Sequence, residues 1–299
     1  MNAFPDEPAP TPVAPEAKRD TDASARESVE HSSGALTTVA RPMSPEVMSA
    51  EVVPAEPHDP PWSGWDVLRI VLMGAVALVL IFIALAFTVT GANLRTRLNT
   101  LNARPELLIV GQMVAYLLIL GYMYVLVTRE RRQPHFWQAI RWNWPARIWT
   151  YLLLGFLMQA AFMVVERFLP FPKEMPFDAV LRRPYSVVLI SIFSVTLGPL
   201  LEEIFFRGFF YPVLKRRIGV AAAIVVTAFP FALMHAAQYG NSWASILLIF
   251  VVGVVLATVR ETNDSLAASF LVHVGYNGTI MLILFAATDG FRHLEKLNQ

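Results

Sequence analysis

The sequence predicts an all-α fold: a polytopic membrane helix bundle of about seven transmembrane helices, preceded by a disordered N-terminal tail. Three observations predict it. The chain of 299 residues is 55% hydrophobic and 16% charged, with a mean hydropathy of +0.49, against about a quarter charged in ordinary soluble domains. From Val67 onward it resolves into apolar blocks of roughly 20 residues, the length that crosses a bilayer at about 1.5 Å per residue. Before Val67 there is no such block.

The first sixty residues carry Pro5, Pro8, Pro10, Pro12, Pro15, Pro42, Pro45, Pro54, Pro57 and Pro60 on a polar Ala/Glu/Ser background without apolar periodicity. That composition predicts a solvated spacer. A cleavable secretion signal is not expected, because such a signal has a short apolar run close to its start. The segment holds 11 acidic and 4 basic side chains, a balance of −7, which leaves +8 on the rest of the chain.

Seven blocks follow: Val67–Thr90, Glu106–Thr128, Ile148–Leu169, Tyr185–Leu214, Val220–Gln238, Trp243–Val259 and Ser265–Ala287. Breakers separate the first four: "GANLRTRLNTLNARP", "RERRQPHFWQAIRWNWPAR" and "PFPKEMPFDAVLRRP". No internal repeat is visible, which argues against a transporter built from inverted halves. Arg129, Arg131, Arg132, Arg141 and Arg147 precede the third block, and Lys215, Arg216 and Arg217 precede the fifth. Positive loops favour the cytoplasm, so the N-terminus is expected there too. The positive charge flanks apolar blocks and therefore predicts a lipid bilayer as partner, with no nucleic acid. Trp62, Trp65, Trp137, Trp142, Trp144, Trp149 and Trp243 fall near block ends, where amphipathic rings anchor at headgroup level. The absence of cysteine excludes disulfides, thiolate chemistry and every cysteine-based metal site.

One block breaks the apolar rule. "VTLGPLLEEIFFRGFFYPVL" carries Glu202, Glu203 and Arg207 inside a helical pattern. Charges at that depth are costly and normally face the bundle interior with a partner. Glu203 and Arg207 stand four apart in the favourable acid-before-base order, so they predict an ion pair. Glu202 is left without a local cation and is available as a general acid or base. By itself the trio is equally a lock between helices.

Of six histidines, His235 and His273 are the two embedded in apolar blocks, and Asn277 follows His273 by one helical turn. If blocks four and five form a hairpin turning near Arg217–Gly219, Glu202 lies about 16 residues before the turn and His235 about 17 after it. Both then sit roughly 25 Å from the turn, at one depth. Pro230 removes a backbone hydrogen bond just ahead of His235 and is expected to open room there.

The patterns "EEIFFR", "FALMH" and "HVGYN" resemble, in order and spacing, the three motifs of the type II CAAX prenyl endopeptidase family, whose bacterial members are also grouped as bacteriocin-processing, Abi-like proteins. The resemblance covers about a third of the chain. It implies a membrane-embedded endopeptidase in which Glu202 is the catalytic carboxylate, Glu203 with Arg207 a structural pair, His235 co-catalytic, and His273 with Asn277 the donors to the transition state. It also implies a membrane-associated protein or peptide substrate and, for the cell, a bacterial membrane. The expected organisation is a tail over residues 1–61, N-terminal spans and loops over 62–184, the catalytic membrane domain over 185–287 and a C-terminal tail over 288–299.

No cofactor is expected. Two histidines and a carboxylate are a usable zinc set, and the family is often labelled a metalloprotease, but no H-E-x-x-H helix is present. A metal-dependent protease and a non-catalytic immunity or scaffold protein that uses the polar cluster as a helix lock stand as the alternatives.

Overall fold

The structure is a computed structural model and describes residues 60–172 and 174–298. The tail expected over residues 1–61 lies outside the described residues except for Pro60 and Pro61. The described residues are helical throughout, without strands.

Helix α1 (Gly64–Thr88) opens on a capping box in which Ser63 and Asp66 satisfy each other's backbone donors. It is followed by α2 (Leu94–Asn102) and α3 (Pro105–Val125), the latter prolonged by a π-helical turn, Leu126–Glu130. The breaker predicted after the first block thus contains a helix. Asn93 starts it by accepting from the Thr96 amide at 2.9 Å, and Leu101 is fully buried among Ala86 and Val89. A short turn, α4 (Phe136–Ala139), leads to α5 (Ile148–Val165). After α6 (Asp178–Leu181) come α7 (Pro184–Val195) and α8 (Leu197–Glu203), separated at Thr196 by a backbone kink at φ −121° and ψ −90°.

A second π-helical segment, Ile204–Phe210, joins α8 to α9 (Tyr211–Ile218). Gly219, at φ +79°, turns the chain back into α10 (Val220–Met234), and α11 (Trp243–Thr262) and α12 (Leu266–Ala287) complete the bundle. A positive φ is nearly free only for glycine, so the hairpin turn sits where "RIGV" has its one residue without a side chain.

Among the described residues, six helical stretches are long and apolar enough to cross a bilayer: Gly64–Thr88, Pro105–Glu130, Ile148–Phe168, Pro184–Ile218, Trp243–Thr262 and Leu266–Ala287. Large apolar side chains such as Val79, Leu80, Phe87 and Leu282 are exposed along them, as expected where the surrounding solvent is hydrocarbon. The protein is an integral membrane protein. The fifth predicted block is shorter than read. Its helix ends at Met234 after 15 residues, about 22 Å. His235 then enters a 3₁₀ turn, Ala236–Tyr239, and Gly240 and Asn241 take left-handed backbone.

One end of the bundle carries the ion pairs Asp66–Arg131, Arg141–Asp264 and Lys215–Glu261. Trp65, Trp149 and Trp243 are exposed as interface anchors would be, whereas Trp62 is buried. At the other terminus Leu294 is buried and packs with Val187, Met281 and Leu284, so the last described residues return to α7 and α12.

Candidate active site

Three helices deliver the polar side chains to one place in the interior. The close approach of α10 to α11 depends on Gly253, where a Cβ would lie 2.9 Å from the Ala228 Cβ. That proximity brings the Gly253 carbonyl to Arg207, whose Nη2 donates to it at 3.0 Å. Arg207 Nη1 donates to Glu203 Oε1 at 2.9 Å, and both side chains are fully buried. The guanidinium carbon stands 4.4 Å from the centre of the Phe231 ring, a cation–π contact that covers a desolvated charge with the negative face of an aromatic.

Glu203 takes two further partners, both from α12. His273 Nδ1 lies 2.9 Å from Oε1, and the Ser269 hydroxyl 2.5 Å from Oε2 and 2.9 Å from the Leu256 carbonyl. Since a carboxylate only accepts, His273 carries its proton on Nδ1 and turns Nε2 the other way. Ser269 was not among the residues singled out from sequence. Its signal was present all the same, since Ser269, His273 and Asn277 recur at four-residue spacing on one helix face.

Glu202 differs from its neighbour. Among the described residues no hydrogen bond engages its carboxylate. Its Oε2 is 3.8 Å from His273 Nε2 and 4.0 Å from His235 Nε2. These separations are too long for direct hydrogen bonds, and they suit one bridging water at about 2.8 Å from each atom. The His235 ring is oriented by its Nδ1, 2.9 Å from the Phe231 carbonyl. A carbonyl only accepts, so Nδ1 holds the proton and the Nε2 lone pair faces Glu202. Glu202 and His235 keep 13% and 18% of their side chains exposed, against 0% for Glu203 and Arg207. The first pair is partly accessible and the second is closed off.

Asn277 lies one turn beyond His273 and donates through Nδ2 to the Ser194 carbonyl at 2.7 Å, beside the kink at Thr196. One amide hydrogen is therefore committed to α7 and the other is not. The structure thus brings Glu202, Glu203, Arg207, His235 and His273 together, and ties Asn277 to the adjoining helix break.

The spacing of these donors bears on a metal. Ligands about 2.0–2.1 Å from a tetrahedral zinc lie roughly 3.3 Å from one another, closer than the 3.8 and 4.0 Å found around Glu202. Among the described residues no three His, Asp or Glu side chains are arranged to hold an ion. The set as placed does not fit one.

Residues 184–279 match the family model described as type II CAAX prenyl endopeptidase, Rce1-like. The matched segment begins at α7 and includes Glu202, Glu203, Arg207, His235, His273 and Asn277. A match to a protease family supports an enzyme of that kind within the bundle. No curated protein and no solved structure matches the chain. The CAAX-endopeptidase-like segment leaves α1, α3 and α5 outside it, yet α5 packs on α12 backbone to backbone: a Cβ at Gly155 would meet the Val272 carbonyl oxygen at 2.1 Å.

Proposed function

We propose that the protein is an intramembrane endopeptidase of the CAAX prenyl protease type, which hydrolyses a peptide bond near the membrane with a water activated by Glu202. The observation that carries this reading is the contrast between adjacent glutamates. Glu203 has its oxygens occupied by Arg207, His273 and Ser269 and has no free lone pair aimed at a reactant. Glu202, free of such partners, faces two imidazole nitrogens across the width of a water.

In this mechanism the water sits between Glu202 and the His235 Nε2. As its oxygen attacks the scissile carbonyl carbon, one proton passes to Glu202 and the carbonyl π pair moves onto oxygen. That oxyanion is stabilised by His273 through Nε2–H and by the uncommitted amide hydrogen of Asn277. His273 makes that donation through Nε2–H while Glu203 accepts from its Nδ1–H. Collapse of the tetrahedral intermediate breaks the C–N bond, and Glu202 returns its proton to the departing amine. No covalent enzyme intermediate is required, and water and side chains account for every step.

The substrate is a membrane-associated protein or peptide. The test is cleavage by protein reconstituted in lipid: mass spectrometry of membrane proteins incubated with wild type and with Glu202→Gln. New termini that depend on Glu202 and persist with a chelator support a metal-independent protease. Termini lost on chelation and restored by zinc select the metal-dependent version, and identical peptide sets from both proteins leave the helix lock as the function.

A further inference from the structure

Trp62 precedes α1, on a segment that lies outside both the three motifs and the matched residues 184–279. It is 1% exposed. Its ring stacks on Phe209 with centroids 4.5 Å apart and 26° between planes, and its indole N–H donates to the Phe209 carbonyl at 3.1 Å. Arg216 of α9 fixes the segment from the other side: Nη1 donates to the Pro60 carbonyl at 3.2 Å and Nη2 to the Trp62 carbonyl at 3.1 Å.

Phe209 belongs to the π-helical segment Ile204–Phe210. A π turn inserts one residue into an α-helix and disrupts its ladder of carbonyls. Pro212, immediately downstream, has no N–H to offer the carbonyls four and five residues back, those of Gly208 and Arg207. Buried carbonyls still need donors, and for Phe209 one donor is the Trp62 indole. The register matters because Arg207 lies within the segment and Glu203 at its edge. Collapse to α geometry would rotate the helix before it against the helix after it by about 100°, one residue's worth. Glu203 and Arg207 would stay four apart, but one of them would turn from its partners on the facing helices, Arg207 from the Gly253 carbonyl or Glu203 from Ser269 and His273.

We propose that Trp62 is a positioning residue, whose indole N–H holds the π register of Ile204–Phe210 and through it the Arg207–Glu203–His273 chain. Its kinetic consequence rests on the protease reading; its structural one does not. Trp62→Phe keeps an aromatic ring and removes the N–H. In lipid-reconstituted protein, amide exchange across residues 204–213 becomes faster in Trp62→Phe, while peptides from α12 are unchanged. On a cleaved substrate, kcat falls about tenfold, the worth of one buried hydrogen bond, KM holds, and the pH profile of kcat shifts because the Arg207 and Glu203 charges beside Glu202 are displaced.

Leu101→Ala is the control: Leu101 is fully buried away from the site, so this variant lowers Tm and leaves the pH profile alone. Arg216→Met, which frees the Trp62 segment without touching the ring, moves exchange and kcat in the same direction by less. Unchanged exchange in Trp62→Phe and Arg216→Met overturns the hook. Faster exchange with wild-type kcat and pH profile also overturns the positioning role, reducing Trp62 to a packing residue. An inactive wild type would sink the protease reading instead, and the exchange measurement would still decide the hook.

Discussion

Two charged networks in this molecule use the same residue types at different depths. At the loop end of the bundle Asp66, Arg69, Glu130 and Arg131 join α1 to the end of α3. Arg131 Nη2 lies 2.5 Å from Asp66, and Arg69 makes two hydrogen bonds to Glu130 at 2.7 and 3.0 Å. In the interior Glu203, Arg207, Ser269 and His273 join α8 and the π segment to α12, and Arg207 reaches α11. The first network leaves Arg69 and Glu130 with 34% and 40% of their side chains exposed, while in the second both ionic groups are at 0%. Water can replace a missing partner for Arg69 and Glu130, although Asp66 in the same network is fully buried. In the second, removing one group strands the others in a medium that cannot solvate them. That difference explains why the interior network is saturated with donors, and why the unsaturated Glu202 beside it stands out.

The largest expected effect breaks the comparison at Glu202. Glu202→Gln removes the proposed base while keeping the shape, so turnover falls by about 10²–10⁴-fold with an unchanged thermal melt; undiminished cleavage would transfer the role of base elsewhere. Next comes Arg207→Ala, which leaves Glu203 buried and uncompensated at a cost of about 3–5 kcal/mol. Lower yield and a lower Tm would report it, and a wild-type melt would remove the case for a buried pair.

Ser269→Ala sharpens the contrast. It deletes one hydroxyl from a buried carboxylate and is expected to cost about 1.5–3 kcal/mol, measured by denaturation in detergent. If Ser269→Ala is as silent as an exposed substitution, burial is not what separates the networks. The smallest effect belongs to Arg69→Ala, which should leave the melt within error and make little difference at high salt, because exposed pairs are screened. A large loss there would show that the loop-end network is part of the stabilising core.

Much of this architecture is readable locally. Apolar blocks mark α1, α3, α5, α7–α9, α11 and α12 because bilayer-crossing length and helical period are properties of contiguous residues. The spacing of Glu203 to Arg207, and of His273 to Asn277, places each pair on one face for the same reason. Other features escape a local reading. Helix α2 hides in a polar stretch, and its Asn93 cap becomes decisive once Leu101 is buried against Ala86 and Val89. The 15-residue length of α10 is concealed by an apolar run that continues to Gln238, though the backbone turns at His235. Trp62 looks like every other tryptophan at a block end until Phe209 is packed on it.

By itself, then, the sequence determined an integral membrane helix bundle, the hairpin at Gly219, and the set of polar residues that such a bundle must account for. Tertiary structure alone decided which partners each of them meets. Adjacent glutamates on one helix are chemically identical in sequence, and they differ here because Glu203 meets Ser269 and His273 from 66 and 70 residues away. Glu202 projects about 100° around the axis and meets only the far nitrogens of two imidazoles. Helical periodicity specifies a direction of projection; the partners waiting in that direction come from packing between distant segments, which in this protein runs through the absent side chain of Gly253 and the widened turn at Ile204–Phe210.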